Sequence, residues 1–226
     1  MSLKKITIIT SVYSADKLIN NFLEHITGLN GFKLCTLLLY DIVESHSSGE
    51  YIDSMISMYR LKYDNIEHIK IEKDPGLYGI WNMGVKKSET EYITNANLDD
   101  FRHPYYFIIG LYVLEKYNVD LYSSNYFITK ELPTKWTNYG RNIKPKYPPI
   151  KSYYLYEYRD MFDMKEGLTY DKKCFPHCAP IWKRKLHVVD NKICILFDED
   201  RYGACADYEF WIRASKYHKS KFIMDY

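Results

Sequence analysis

The chain has no run of about 20 apolar residues, the length a helix needs to cross a bilayer, so nothing in it reads as a transmembrane segment. It has no excess of one charge. Thirty-one Lys and Arg stand against 29 Asp and Glu, a formal net charge of +2. The basic residues are dispersed, which excludes the basic face that nucleic-acid binding requires. It lacks the GxGxxG of dinucleotide folds and the GK[ST] of phosphate loops. The opening MSLKKITIIT lacks the apolar core and cleavage site of a secretion signal. Cysteine is scarce and unpaired in pattern: Cys35, Cys174, Cys178, Cys194 and Cys205 are odd in number and irregular in spacing. That usage predicts reduced thiols and a cytoplasmic setting. The CFPHC stretch, with His177 between Cys174 and Cys178, lacks a second ligand pair nearby, so no zinc is expected there.

What is present begins with a globular composition. Hydrophobic residues at 46% and charged residues at 27% are ordinary for a packed domain, and 226 residues can bury a full core. Tyrosine is abundant, with 24 residues. Its apolar body and polar tip suit sugar-facing walls, and a coding bias toward Tyr, Ile, Lys and Asn accounts for it equally well.

Short apolar runs alternate with amphipathic stretches. Lys5–Val12, Leu34–Asp41, Ile66–Ile71 and Glu91–Ala96 read as strands; Ala15–Ile26, Tyr51–Leu61 and Tyr78–Lys87 read as helices. This rhythm predicts an α/β fold, a mostly parallel twisted central sheet with helices on both faces. Beyond Asp100, His103–Tyr117 reads as a helix and Asp120–Ile128 as a strand. Leu132–Ser152 carries Pro133, Pro145, Pro148 and Pro149 and reads as a long loop, a lid or acceptor-binding segment. Trp182–His187 and Gly203–Tyr217 are predicted helices, and Lys221–Tyr226 a last strand, whose position at the chain's end suggests that further residues follow it.

In such a sheet ligands bind at the carboxyl edge. Three loops are expected there: Ser11–Ser14, Glu44–Gly49 and the carboxylate pair Asp99-Asp100. A hydroxyl-bearing loop with an aromatic can stack on a base. An acid after the second strand can accept hydrogen bonds from base or ribose. Two adjacent carboxylates repel unless something compensates them, and a hard dication bridging two phosphates would do so. The set describes a nucleoside-diphosphate site.

Three segments carry a more specific likeness: ITIITSVYS, DPGLYGIWNMGV followed by EYITNANLDD, and FDEDRYGACADYEFWIR. With them the chain resembles the family 2 glycosyltransferases, inverting enzymes with the A-type nucleotide-diphospho-sugar transferase fold. The resemblance implies a single domain, with a donor-binding half over residues 1–100 and an acceptor-binding half over 101–226. It gives Ser11, Tyr13 and Glu44 to the nucleotide base. Asp99 falls near ribose and phosphate with a supporting share in the metal, and Asp100 is the direct Mn2+ or Mg2+ ligand. Asn97 stands where the family's metal motif often begins with Asp. Asp74 and Gly76 would shape the wall beside the sugar, and Trp81 and Asn82 would lie on a helix beside the donor cleft.

Asp207, where the family carries its catalytic Asp, would be the base; Glu209 is the alternative, about 200° away around a helix of 3.6 residues per turn. His177, Trp182 and His187 are acceptor-pocket candidates, with His187 a candidate third metal ligand. Trp136, Tyr153, Tyr154 and Tyr156 could stack on sugar rings. The implied activity is metal-dependent transfer of a hexose from a nucleotide-diphospho-sugar, with UDP the expected nucleotide, to a hydroxyl of a saccharide, glycolipid or glycoprotein. A catalytically inactive nucleotide-sugar-binding protein, a saccharide-binding module without a nucleotide site and a nucleotidyltransferase are the rival readings.

Overall fold

In the computed structural model, which describes residues 4–124, 151–154, 180–218 and 221–225, the predicted alternation is realised. Strand β1 (Ile6–Val12) leads to α1 (Ile19–Gly28), β2 (Cys35–Ile42), α2 (Gly49–Arg60) and β3 (Ile66–Ile71). Then come α3 (Leu77–Lys87), β4 (Tyr92–Asn95), α4 (Tyr106–Lys116), β5 (Leu121–Ser124) and β6 (Lys151–Tyr154). Strand β7 (Ile181–Lys183), a hairpin of β8 (Val188–Val189) and β9 (Lys192–Ile193), α5 (Glu199–Tyr202), α6 (Ala206–Tyr217) and β10 (Lys221–Asp225) complete it. No helix among the described residues is long and apolar enough to cross a membrane.

The eight-stranded sheet runs β3-β2-β1-β4-β7-β5-β10-β6. Strands β1 to β4 pair in parallel, as do β5 and β10. Strand β7 lies antiparallel between β4 and β5, and β6 antiparallel to β10. The chain steps outward from β1 to β3 and then returns to place β4 on the other side of β1. That reversal opens a crevice between β1 and β4 at the carboxyl edge.

Strand alternation divides the apolar residues between two layers. Ile6, Ile8, Leu37 and Leu39 face one cluster with α1, α2 and α4. Ile9, Leu38, Tyr40 and Ile93 face another with α3 and α6. The sheet is thus covered on both faces, which is why its central strands read as continuous apolar runs. Helix α3 lies close over β1: a Cβ on Gly84 would come within 2.6 Å of the Ile9 side chain.

Several predicted boundaries move. Trp182–His187 is not a helix. Ile181 enters the first cluster and Trp182 the second, an alternation only a strand produces, and a 3-10 turn over Arg184–His187 follows. Helix α1 begins four residues later than predicted. Ser14 takes φ +46° and the Asp16 carboxylate accepts the Ser47 and Ser48 N–H groups, so both residues serve the loops and not a helix. A 3-10 turn over Gly203–Cys205 precedes α6. Lys151 and Ser152, predicted as loop, open β6. Residues 132–150, Trp136, Tyr156 and the Cys174–Cys178 stretch with His177 lie outside the described residues; Tyr153 and Tyr154 are described as backbone of β6 alone.

Candidate active site

The loops after β1 and β2 are stitched together before any ligand is considered. Ser14 N–H donates to Ser45 Oγ (3.0 Å), Ser14 Oγ to the Ser45 carbonyl (3.2 Å), and Ala15 N–H to His46 Nδ1 (3.3 Å). Ser11 is the half-buried residue before the last of β1, and Tyr13 stands 54% exposed, its ring open to stacking. Glu44 is exposed and receives the Asp74 N–H at 3.5 Å, which joins the loops after β2 and β3. Asp74 in turn accepts the Gly76 N–H at 2.9 Å. Gly76 sits at φ +79°, a backbone region that glycine adopts without a steric penalty.

Helix α3 then receives a cap from far along the chain. Glu199 Oε2 accepts the N–H groups of Tyr78 (3.1 Å) and Gly79 (3.4 Å), two of the donors a helix start leaves unpaired. A negative charge there also complements the helix dipole. From sequence Glu199 stood out only within the FDEDRYGACADYEFWIR segment, with no role of its own, so this contact was missed.

Asp99 and Asp100 follow β4 on the other side of the β1–β4 crevice. Asp99 is exposed and Asp100 half-buried. The Asn97 side-chain amide donates to Asp100 Oδ2 at 2.9 Å. Asn97 therefore has a reason: an Asp there would set a third carboxylate against the pair. Burial pushes the Asp100 carboxyl above its ordinary value and Asp99 adds to this, while the Arg102 guanidinium and the Asn97 amide oppose it. Arg102 is itself buried, donating to the Asn95 carbonyl and lying over the Tyr106 ring; its N–H donates to His25 Nε2 at 2.9 Å. Burial and Arg102 hold His25 down at about 4, so it is a neutral acceptor. Arg102 was not singled out from sequence, although it stands two residues past the pair.

Asp207 lies in the first turn of α6, half-buried, with Oδ1 accepting the Tyr208 N–H at 2.8 Å. Burial raises its carboxyl above the ordinary range against the opposing hydrogen bonds of the Tyr208 N–H and the Tyr78 hydroxyl. Tyr78 also donates to the Ala204 carbonyl (3.1 Å), so α3 follows the Asp74–Gly76 turn at one end and meets the turn before the Asp207 helix along its face. Glu209 is engaged otherwise: both its oxygens are held by Arg213, at 2.6 and 2.7 Å.

Three candidates, Trp81, Trp182 and His187, are buried, and Asn82 is partly so. Trp81 is 8% exposed and packs on Tyr78 and Phe197. Asn82 bonds both ways to the Phe197 main chain, donating at 2.8 Å and accepting at 2.9 Å. These two fix α3 to the segment at Phe197. Trp182 and His187 are buried: Trp182 Nε1 donates to His187 Nε2 (2.9 Å), and His187 Nδ1 bonds to the Ile195 carbonyl (2.7 Å). With both ring nitrogens used, His187 is neither a metal ligand nor part of an acceptor pocket, and burial drives it down to about 3.

No family model and no curated protein matches the sequence. Solved structures do. S. aureus TarS 1–349 superposes with a TM-score of 0.69 at 14% identity over 97% of this chain. The same protein in complex with UDP-GlcNAc gives 0.70 at 16%, and in complex with UDP 0.68 at 15%, each over 97% of this chain. This chain spans 55 to 57% of the length of those structures. The fold is that of the A-type nucleotide-diphospho-sugar transferases, the one the sequence motifs resemble.

Proposed function

We propose that the protein is a metal-dependent, inverting glycosyltransferase that moves a sugar from a nucleotide-diphospho-sugar, a UDP-sugar in our reading, to a hydroxyl of a saccharide, glycolipid or glycoprotein. The observation that carries it is the pairing of two features on this fold. Asp99-Asp100 stands at the β1–β4 crevice, and the half-buried Asp207 heads a helix that Tyr78 ties to the donor loops. That a structure with this fold holds UDP and UDP-GlcNAc supports the choice of donor.

The residues present fit a hard dication. Asp99 and Asp100 supply two carboxylates, as Mg2+ or Mn2+ sites completed by substrate phosphates require. A cation there would offset the burial, and the smaller repulsion from Asp99, that lift Asp100. When bound, it would neutralise charge on the departing diphosphate. Tyr13 offers its exposed ring to the base and Glu44 a carboxylate to base or ribose. Asp74 and Gly76 shape the wall beside them. Asp207 takes the proton from the acceptor hydroxyl as that oxygen bonds the anomeric carbon from the face opposite the diphosphate. The bond from that carbon to the diphosphate oxygen breaks, and the nucleoside diphosphate leaves. The donor half covers residues 1–100 and the acceptor half 101–226. Free thiols at Cys35, Cys194 and Cys205 suit a cytoplasmic setting.

The test is nucleotide release from a panel of UDP- and GDP-sugars with and without Mn2+, in the presence of saccharide acceptors, with the product's anomeric configuration read by NMR. Metal-dependent UDP release with inversion supports the reading. Tight nucleotide binding with no turnover across the panel makes the protein a binding module instead, and retained configuration excludes single displacement.

A further inference from the structure

A second group of ligand-type side chains lies under α2, on the far side of β1 from the Asp99–Asp100 loop. In the parallel register of β2 and β3, Leu39 stands beside His68 and Asp41 beside Lys70. Leu39 and Ile66 belong to the cluster beneath α1 and α2, so alternation turns Asp41 and His68 to that same face. Helix α2 brings Asp53 over them. His68 Nε2 lies 2.8 Å from Asp41 Oδ2 and 4.0 Å from Asp53 Oδ1. One oxygen or nitrogen from each of the three falls within 4.8 Å of the others. Strands β3 and β4 are separated by β2 and β1, roughly 14 Å at about 4.8 Å per strand, so this group is distinct from the carboxylates that follow β4.

The cluster is more than acidic residues that happen to meet. Asp41 is 2% exposed, and a buried carboxylate must be fully partnered. Its Oδ1 is bound by His46 Nε2 at 2.6 Å. His46 Nδ1 accepts the Ala15 N–H, so the ring carries its proton on Nε2 and donates to Asp41. That chain fixes the carboxylate's orientation and leaves Oδ2 facing His68. Asp53 divides its oxygens similarly: Oδ2 binds Lys70 Nζ at 2.6 Å, and Oδ1 points to His68. Outer hydrogen bonds that orient first ligands are what metal sites use.

We propose that Asp41 Oδ2, Asp53 Oδ1 and His68 Nε2 bind a divalent cation of the zinc class. An imidazole with two carboxylates suits Zn2+ or Co2+ better than the all-oxygen preference of Mg2+ or Ca2+. Metal–ligand bonds of about 2.0–2.2 Å put tetrahedral ligands roughly 3.3 Å apart. Reaching that spacing needs a modest inward turn of Asp53, whose side chain is 42% exposed, and a slight opening of the 2.8 Å contact between Asp41 and His68. The cation takes the place of the proton shared by His68 and Asp41, and His68 then holds its ring proton on Nδ1. Bound there, it pins α2 to the β2–β3 edge beneath the loop that carries Glu44. Nothing in this assignment depends on the proposed transferase reaction.

The test uses the full chain without an affinity tag. Co2+ titration should give d–d absorption from an imidazole-bound ion saturating at one equivalent, and Zn2+ should raise the melting temperature. His68→Gln and Asp53→Asn should each weaken both responses at least about tenfold, on the scale set for metal-site partners. Asp100→Asn should leave them intact. Because Asp53 is half-exposed, Asp53→Asn decides the matter even if His68→Gln does not fold. Failure of the wild type to bind, responses unchanged in Asp53→Asn, or loss in Asp100→Asn alone would overturn the assignment.

Discussion

Asp207 and Glu209 are two residues apart on one helix, and their surroundings separate them where their spacing alone could not. Glu209 has both oxygens on Arg213, which also donates to the Leu196 carbonyl, so it braces α6 against the segment before it. Asp207 has a raised carboxyl and no cation among its pKa influences. Asp207→Asn should lower turnover by roughly 10²–10⁴-fold, the usual worth of a general base, with UDP binding retained. The base must be ionised to act, so the acid limb of the rate profile should lie above the ordinary 3.8. Stability runs the other way. A carboxylate whose folded pKa is raised favours folding when protonated, and that contribution is lost as pH climbs through the raised value. Asp207→Asn should therefore stabilise the fold near neutrality and bring no gain below pH 3.8; urea melts at the two pH values measure the difference. Glu209→Gln should do the converse, costing about 1.5–3 kcal/mol for the lost charged hydrogen bonds while turnover per folded molecule stays within a few-fold.

Helix α3 shows how an element is specified from both ends of the chain. Its apolar spacing, with Tyr78, Ile80, Trp81 and Val85 buried, is local and was legible as Tyr78–Lys87. Its cap comes from Glu199, and its packing against the Phe197 main chain comes from Asn82; neither partner is visible in a window of sequence. Strand β7 eluded reading for a related cause: three residues are too few to show a period, and only the slot between β4 and β5 makes Ile181 and Trp182 a strand. Gly76 and Glu199 give a coupled test. A Cβ at Gly76 would come within 2.5 Å of Glu199 Oε2, and φ +79° is strained for any other residue. Gly76→Ala should cost about 1–3 kcal/mol, and Glu199→Ala about 0.5–2 kcal/mol as a lost cap. The double variant should lose less than the sum, because removing Glu199 relieves the clash and leaves only the backbone strain. Chemical denaturation of all four proteins gives the coupling; strict additivity would mean that the two residues do not meet.

At the scale of the whole molecule, the parallel order β3-β2-β1-β4 does what no single motif does: it brings the loops that leave these four strands to one edge. Alternating runs made the mostly parallel sheet readable, though not the order of its strands, and Asp99-Asp100 drew notice because a carboxylate pair after a strand is chemically conspicuous. Arg102, His25 and the Ser14–Ser45 stitching were not, since their meaning lies in contacts across 31 to 77 residues of chain. This division of labour predicts how ligand binding should register in stability. A ligand that binds only the folded state stabilises it by about 2.7 kcal/mol at 100 times its dissociation constant. UDP with Mn2+ should thus raise the melting temperature of the wild type well beyond either alone, because metal and diphosphate complete one another's coordination. Asp100→Asn should remove the synergy, leaving the small effect of UDP alone, if metal and nucleotide are linked through that carboxylate as proposed. Asp207→Asn should preserve the synergy in full, because the base acts on the acceptor. Equal synergy in Asp100→Asn and wild type would place the metal elsewhere, whatever the activity of either variant.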